Sequence, residues 1–595
     1  MTMGTGRGAT RRPVGRARRS TGRFGAVVCP ILLGGLLAAI DAPPAAAQSA
    51  GLLAAPERPP LPDFAVPESP GRPVLPPLEG PTAPDAASAA AAGEGLQIDR
   101  IVFEGNRALD TRTLADVAAP FLGRPLRAGE LAALRDALTR AYVERGYVSS
   151  GARLPEQQIV DGTLRVEIVE GRLGRIDVTT DGRLRPSFVD RGLFRRGQLV
   201  SVPQIEDRLR GLEQDPRVDA VVARLLAGER AGEATLDLAL VEARAYWLEA
   251  AFGNTTPPTV GALGGDFRAG HRNVLGFSDA LEVGYRRTEG LESFLVGYDV
   301  PISPFGTRLG FRFSNAESEV VDGPLEDADI QSRSRTFAFE LSQPLVRGAR
   351  QNASLFLRAE HRRAKAFLFG TGEAALAEGS EEGETTVAVL RAGGEWAWRD
   401  ARQALALRTT LSVGLDTLGA TMDGEGAADA EFVTGLFQAQ WAARLTDWNL
   451  QAVARLDGQV ADSRLFGLER FAVGGYSTVR GYRENQLVRD HGVVGSLELR
   501  VPIWRDPGRD LEIALAPFVD AGGGWNASRT RGQTTLASAG IGLRADWRPW
   551  IAARLYWGQA LLPVRNAPDD DPQDAGIHFL LTFRPDWDTV AGWLR

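Results

Sequence analysis

The sequence predicts two small α+β domains followed by a transmembrane antiparallel β-barrel. Three observations carry this prediction. An arginine-rich start leads into an apolar run, which is typical of exported proteins. Strand and helix patterns then follow one another twice within residues 96–243. From residue 244 onward, the chain consists of many short runs in which apolar and polar residues alternate.

The first 47 residues are predicted to be a secretory signal peptide. Arginines crowd its beginning, Phe24–Ile40 is mostly apolar, and Ala45–Ala47 offers small residues for cleavage. The apolar run is broken by glycine and is shorter than the roughly 20 residues of a membrane-spanning helix. Because Cys29 is the only cysteine and lies in this segment, we expect no disulfide and no thiolate site in the mature chain.

Residues 48–95 are rich in proline and alanine and are predicted to be an extended, semi-rigid linker. Only residues 50–55 could form a short helix before the prolines begin, and the resemblance described below implies a plug helix at this place. Twin-arginine export is the alternative for the segment before the linker, although no full motif follows either Arg11–Arg12 or Arg18–Arg19.

The composition excludes several function classes. A formal charge of -7 argues against a nucleic-acid partner. The four histidines lie far apart without metal-ligand spacing, and neither a G-x-S-x-G nor a phosphate-binding G-x-x-x-x-G-K-[ST] motif occurs. We therefore expect no catalytic activity, no cofactor and no metal site.

Residues 96–172 are predicted to form the first α+β domain. Its second helix is the clearer one, because leucines recur at helical spacing until Gly146 stops the pattern. The predicted elements are a strand over 96–103, a helix from Asp110 that Pro120 cuts short, a helix over Glu130–Arg145, and strands over Tyr147–Leu154 and Thr163–Val169.

Residues 173–243 repeat this order less regularly and are predicted to form the second domain. Uncovered strand edges in such domains can take up an extended polypeptide as an added strand. Two generic small α+β domains are the alternative, and they would offer the same kind of uncovered edge. The predicted elements are a strand with Ile176 and Val178, a helix with Ile205, Leu209 and Leu212, and strands over Val218–Leu226 and Ala234–Val241.

Residues 244–595 are predicted to form the barrel. In one of the runs, Phe294, Val296 and Tyr298 alternate with less apolar residues, which suits strands with one apolar face. The export signal and polar inserts such as Glu373–Glu384 and Gly424–Glu431 favour lipid over a second sheet as the partner of that face. A soluble all-β domain is the alternative.

Residues 474–485 break this alternation. Glycines before and within the segment allow positive φ, so a tight loop is predicted there. Further along, an acid lies between apolar residues on a predicted strand. In the alternative interpretation, the loop is a solvated hairpin turn and the acid forms a turn of its own. The candidate site residues are Val479, Arg480, Gly481 and Tyr482 in the loop, and Phe518, Asp520 and Gly522 on the strand.

The V-R-G-Y loop and the F-x-D-x-G strand resemble the signature pair of the outer-membrane transporters of two-partner secretion, the TpsB or ShlB/FhaC/HecB type. This type belongs to the superfamily of the barrel-assembly protein BamA. The two α+β domains resemble its polypeptide-transport-associated (POTRA) domains, the first of them through Phe103–Asn106, Leu154–Gln157 and Val169–Arg172. Weaker similarities lie at Asn273–Gly276 with Asp279, at Tyr298–Pro301 and at Glu498–Pro502.

The resemblance implies a sixteen-stranded barrel in which Arg480 reaches into the lumen and pairs with Asp520 on the wall. Such a bidentate pair is geometrically specific. Barrels of this type usually end on an aromatic residue. We therefore expect Phe583 to close the barrel, with Val590–Arg595 as the alternative last strand.

The resemblance also implies a function, type Vb secretion. POTRA domains in the periplasm would recognise the N-terminal secretion domain of a large adhesin or cytolysin, and the barrel would pass it unfolded across the outer membrane. Outer-membrane lipid and the barrel-assembly machinery are further implied partners. An assembly factor for other outer-membrane proteins is the alternative, and a passive diffusion channel is a third hypothesis.

Overall fold

The computed structural model describes residues 95–188, 193–230, 232–323, 330–368, 373–374, 383–422, 428–564 and 571–585. The predicted signal peptide and the linker up to residue 94 lie outside the described residues. Within the described ranges, no helix is both long and apolar enough to cross a membrane.

The first domain packs two helices on a three-stranded sheet. Strand β5 pairs with β2 in parallel and with β4 antiparallel, while β1 and β3 form a separate pair. Asp110 caps α1 by accepting a hydrogen bond from the backbone N–H of Thr113 at 2.7 Å. The elements are β1 Leu96–Ile98, β2 Arg100–Glu104, α1 Thr111–Ala118, β3 Arg124–Leu126, α2 Ala128–Val143, β4 Gly151–Arg153 and β5 Thr163–Val169.

One strand of this domain is shorter than the sequence predicts. The predicted strand over Tyr147–Leu154 contracts to β4, because its first residues form a turn in which Ser150 N–H donates to the carbonyl of Tyr147. Strand β3 was not predicted.

The second domain is built on the same plan with one α-helix in its described part. Strand β8 lies in the middle of its sheet, parallel to β6 and antiparallel to β7. Helix α3 buries Ile205, Leu209 and Leu212 against this sheet, as its apolar spacing predicts. The elements are β6 Arg172–Asp181, α3 Val202–Glu213, β7 Val218–Ala227 and β8 Glu233–Glu242.

Sixteen of the remaining strands close into one antiparallel barrel, so the alternative of a soluble all-β domain with two packed sheets is wrong. The two-residue β16 pairs with the end of β15. Strands β21 and β22 pair with each other and are not part of the barrel wall. The strands are β9 Tyr246–Gly253, β10 Gly264–His271, β11 Ala280–Thr288, β12 Leu291–Pro301, β13 Arg308–Glu319, β14 Gln331–Arg347, β15 Gln351–Leu368, β16 Glu373–Ala374, β17 Glu384–Arg399, β18 Gln403–Leu415, β19 Val433–Arg444, β20 Gln451–Ala461, β21 Phe471–Val473, β22 Leu487–Arg489, β23 His491–Asp506, β24 Leu511–Trp525, β25 Thr535–Trp547, β26 Ile551–Ala560 and β27 Ile577–Phe583.

The two faces of the wall differ as the alternating pattern predicts. Val519 is 53% exposed on the outside, whereas its neighbour Asp520 is 2% exposed on the inside. Strand β27 closes the barrel against β9, with Phe583 opposite Ala250. The expectation that Phe583 ends the last strand is therefore confirmed, while Val590–Arg595 lies outside the described residues.

The second domain contacts the turns at the end of the barrel where the chain enters. Arg183 Nη2 donates to the carbonyl of Val274 at 2.7 Å, and Arg217 Nη1 donates to the carbonyl of Ser278 at 3.1 Å. The backbone N–H of Ala349 donates to a carbonyl of α3 at 3.1 Å. Two turns, the one between β10 and β11 and the one between β14 and β15, thus hold the domain beside the barrel entrance.

Candidate functional site: a loop folded into the barrel

The loop between β20 and β23, residues 462–490, is called the lumen loop below. Its stem is the antiparallel pair β21 and β22. Beyond the stem, Gly474, Gly475 and Gly481 have φ angles of 115, 100 and 91°, a region that favours glycine. The prediction of a tight, shaped loop at this place is confirmed.

The Arg480 side chain is buried against the inner wall, so its interpretation as part of a solvated turn is wrong. The guanidinium donates from Nε to Asp520 Oδ2 at 2.8 Å and from Nη2 to Asp520 Oδ1 at 2.9 Å. The backbone N–H of Arg480 adds a third bond to Oδ2 at 3.1 Å. Asp520 lies within β24 and is not a turn residue. The fork of a guanidinium matches a carboxylate in this way.

Three further wall groups surround the same guanidinium. Nη1 donates to Glu498 Oε2 at 2.5 Å, and Ser496 Oγ donates to Asp520 Oδ1 at 2.6 Å. The Phe518 ring lies under the guanidinium with 3.7 Å between the guanidinium carbon and the ring centroid. Strand pairing explains the convergence, because Ser496 is opposite Asp520 and Glu498 is opposite Phe518 across β23 and β24.

Gly481 lets the loop tip touch the wall. A Cβ placed on Gly481 would lie 2.7 Å from the carbonyl oxygen of Gly558 on β26, and one placed on Gly558 would lie 2.8 Å from the Gly481 nitrogen. The Gly481 N–H donates to His578 Nε2 at 3.1 Å. Two facing glycines thus permit a backbone-to-backbone approach that a side chain on either would prevent.

Val479, Tyr482 and Gly522 complete the sequence-predicted set, and the structure brings all three to the same place. A Cβ on Gly522 would lie 3.1 Å from Val479 Cγ2, so the bare wall at Gly522 makes room for the loop valine. The hydroxyl of Tyr482 donates to the carbonyl of Ala537 at 2.7 Å or to that of Leu562 at 2.9 Å. Tyr482 therefore binds the tip of the loop to the wall at β25.

A second ionic cluster holds the base of the lumen loop. Glu469, just before β21, accepts hydrogen bonds from Arg391 Nη2 at 2.8 and 2.9 Å. Arg391 Nε donates to Glu360 at 3.0 Å, and Arg362 lies 3.5 Å from Glu469. Glu360 and Glu469 are both buried. This cluster fixes the loop where it leaves the wall.

Sequence reasoning missed most of the wall partners. Glu498 is singled out only for its similarity to the family, and the wall residues Ser496 and Arg391 and the loop residue Glu469 are not singled out. The available signal was a charged or polar residue at every second position of a strand, which marks an inward face. That signal identifies the face, but it does not say which inward residues meet.

The contacts at the tip and at the base of the lumen loop are polar and ionic and therefore reversible, so they can hold or release the loop. In the described part of the chain, no group of His, Cys, Asp or Glu side chains is arranged to bind a metal ion.

Comparisons with known proteins place this geometry in a family. The model of the haemolysin secretion/activation protein ShlB/FhaC/HecB matches residues 232–545, which is more than half of the chain. The model of the ShlB-type POTRA domain matches residues 96–171. The chain is also 25% identical over 442 residues to the outer membrane transporter CdiB of Dickeya dadantii (strain 3937), covering 71% of this chain and 76% of that protein.

More distant similarities agree with this result. The heme/hemopexin transporter protein HuxB of Haemophilus influenzae is 22% identical over 410 residues, covering 66% of this chain and 70% of that protein. Among solved structures, CdiB from Escherichia coli has a TM-score of 0.65 at 21% identity, covering 84% of this chain and 92% of that one. CdiB from Acinetobacter baumannii has a TM-score of 0.58 at 18% identity, covering 85% and 93%. The two structures support the fold.

Proposed function

Since the chain belongs to the family of haemolysin secretion/activation proteins ShlB/FhaC/HecB, we propose that it is a pore that moves one large exoprotein across the outer membrane. The family is one of transporters and not of enzymes. The barrel lies in the outer membrane, and the POTRA domains lie in the periplasm. A secreted exoprotein is the partner of such transporters.

The finer steps of the proposal concern the exported protein, which is called the client below. The N-terminal secretion domain of an adhesin or cytolysin binds a POTRA strand edge as an added strand, because exposed edges offer unpaired backbone groups. The client then crosses the barrel unfolded, and its folding outside provides the driving force. The barrel-assembly machinery inserts the transporter itself into the membrane.

One observation carries the proposed mechanism. Arg480 is 6% exposed and lies between Asp520 and Glu498, so the lumen loop is fastened within the space that a client must cross. Passage requires the loop to move. A client shifts the loop from docked to released only if it binds the released state more tightly than the docked state.

The test is secretion of a co-expressed exoprotein, preferably the one encoded beside this chain, by wild type and by Arg480→Ala. We expect the variant to secrete less while its barrel stays folded, as shown by heat-modifiable migration on a gel. Arg402→Ala is the matched control, because Arg402 lies in a turn with 70% of its side chain exposed. Its secretion should equal that of wild type.

Two outcomes would contradict the proposal. If Arg480→Ala no longer forms a folded barrel, the pair with Asp520 is structural. If the exoprotein stays in the periplasm even with wild type, and depletion of the transporter instead lowers the amounts of other outer-membrane barrels, the chain is an assembly factor.

A further inference from the structure

A cleft of 1210 Å³ lies outside the lumen, between the second POTRA domain and the periplasmic end of the barrel. One wall is formed by α3 and the segment before it, including Arg195 and Arg208. The other wall is formed by the β12–β13 turn and by the β14–β15 turn with its flanking residues, including Phe305, Leu345 and Arg350. The cleft therefore lies at the periplasmic edge of the lipid-facing surface of the barrel.

The lining of the cleft is rich in positive charge. It contains five arginines and two acids, and both acids are engaged. Glu206 pairs with Arg210 at 3.4 Å, and Asp207 Oδ1 accepts a bond from the backbone N–H of Arg350 at 3.2 Å. Asp207 keeps its negative charge, but five cations against two anions still leave the lining with a net charge of +3. The arginines are Arg195, Arg208, Arg210, Arg347 and Arg350.

Two of these guanidinium groups are available to a ligand. Arg195 and Arg350 are exposed, and neither side chain forms a hydrogen bond or an ion pair with any residue that the structure describes. Arg208 is engaged, since its Nη1 donates to the carbonyl of Leu193 at 2.7 Å. Burial lowers the pKa of Arg208, and the nearby charge of Arg195 lowers it further, while the carboxylate of Asp207 partly opposes both effects. Like charges in excess of the neighbouring acids favour an anion.

The barrel side of the cleft is apolar. Phe305 is 65% exposed and Leu345 is 60% exposed, although both line the cleft. The apolar surface continues along the outer face of β14 through Leu341 and Phe339, which are also exposed. Because outward residues of a transmembrane barrel face lipid, an apolar path joins the arginines to the hydrocarbon of the membrane.

We propose that this cleft binds one anionic phospholipid of the periplasmic leaflet. Its phosphate lies between Arg195 and Arg350, and its acyl chains lie on Phe305 and Leu345. A free phosphate would use the arginines alone and would leave the apolar wall without a role, which favours the lipid. The inference rests on the position of the barrel in the outer membrane and does not depend on secretion.

The test is native mass spectrometry of the purified full-length protein in detergent, titrated with phosphatidylglycerol or with phosphatidylcholine of the same acyl chains. We expect the phosphatidylglycerol adduct at about tenfold lower lipid concentration, the effect of roughly one good charge-assisted contact. The double variant Arg195→Gln with Arg350→Gln should bind both lipids alike. Heat-modifiable migration verifies that each barrel is folded.

Each of the two arginines has a matched control outside the cleft, one in the second domain and one on the barrel. Arg196→Gln removes the same charge from the residue next to Arg195, which is exposed but does not line the cleft. Arg402→Gln removes it from the corresponding turn between β17 and β18. Both controls should keep the preference for phosphatidylglycerol.

Three results would overturn the proposal. The first is equal binding of the two lipids by wild type. The second is loss of the preference in either control. The third is displacement of phosphatidylglycerol by inorganic phosphate at the same concentration, which would make the cleft a site for free anions. None of these results bears on the lumen loop, because the secretion test measures a different part of the molecule.

Discussion

The lumen loop is held at two places with opposite charge arrangements. At the tip, the loop supplies the cation Arg480, and the wall supplies the acids Asp520 and Glu498. At the base, the loop supplies the acid Glu469, and the wall supplies cations, chiefly Arg391 at 2.8 Å. A loop shifted so that Glu469 faced the tip wall would bring three carboxylates together. The charges therefore determine where along the lumen each part of the loop binds.

The two anchors also differ in what remains when the loop leaves. At the base, Arg391 keeps its bond to Glu360 at 3.0 Å. At the tip, Glu498 keeps Arg500 at 2.9 Å, but among the described residues Asp520 keeps only the Ser496 hydroxyl. Leaving a buried charge without its partner is the costly event, more so than losing the contact itself. We infer that the tip anchor is the stronger of the two.

The largest effect is expected for Asp520→Asn. Breaking a buried ion pair costs about 3–5 kcal/mol, so the released population of the loop should rise at least a hundredfold. Trypsin can measure this as cleavage after Arg480 and Arg489, because these two of the loop's five arginines are buried when the loop is docked. Asp447→Asn is the control, since that side chain is 96% exposed and pairs only with Arg402 at 3.4 Å. Equal cleavage in the two variants would refute the argument.

Gly481→Ala tests whether the close approach of the loop backbone to the wall stabilises the docked tip in addition to the ionic contacts. The φ of 91° costs an alanine about 1–2 kcal/mol. The Cβ at 2.7 Å from the Gly558 carbonyl adds about 1–3 kcal/mol of overpacking. Gly419→Ala separates the two contributions, because Gly419 has a φ of 76° with nothing within 4 Å of its Cβ position. Tryptic cleavage no faster in Gly481→Ala than in wild type would show that the contact with β26 is dispensable.

The smallest effect is expected for Glu469→Gln at the base. A hydrogen bond to a charged group contributes about 1.5–3 kcal/mol, and Arg391 retains Glu360, so we expect roughly a tenfold rise in tryptic cleavage of the loop. Glu317→Gln, which removes an exposed pair with Arg333, should leave cleavage unchanged. Faster cleavage in Glu469→Gln than in Asp520→Asn would reverse the ranking of the two anchors.

The barrel and the position of its site were predictable because both leave local signals. Apolar side chains at every second position indicate a strand with one lipid face, and this pattern repeats from Phe294 onward. Gly474, Gly475 and Gly481 interrupt it with residues that accept positive φ. The pairing of Arg480 with Asp520 came from a family resemblance, because no local pattern joins two residues on separate elements.

The contacts between the loop and the wall could not be predicted from the sequence, for a different reason. Glu469 and Arg391 are 78 residues apart, and the ring centroid of Tyr476 in the loop lies 5.9 Å from that of Tyr556 on β26. Which inward residues face each other depends on how many strands close the barrel and how each strand is offset from the next. These quantities are properties of the whole sheet.

The sequence by itself determined which residues face lipid and where the chain must turn, because side-chain polarity and backbone freedom act over a few residues. Only the tertiary structure decided that the last strand closes the barrel at Phe583, that the loop's acid at the base and its cation at the tip meet opposite charges on the wall, and that the second α+β domain and the barrel enclose a basic cleft. These features arise from residues distant in sequence, and barrel closure and domain docking bring these together.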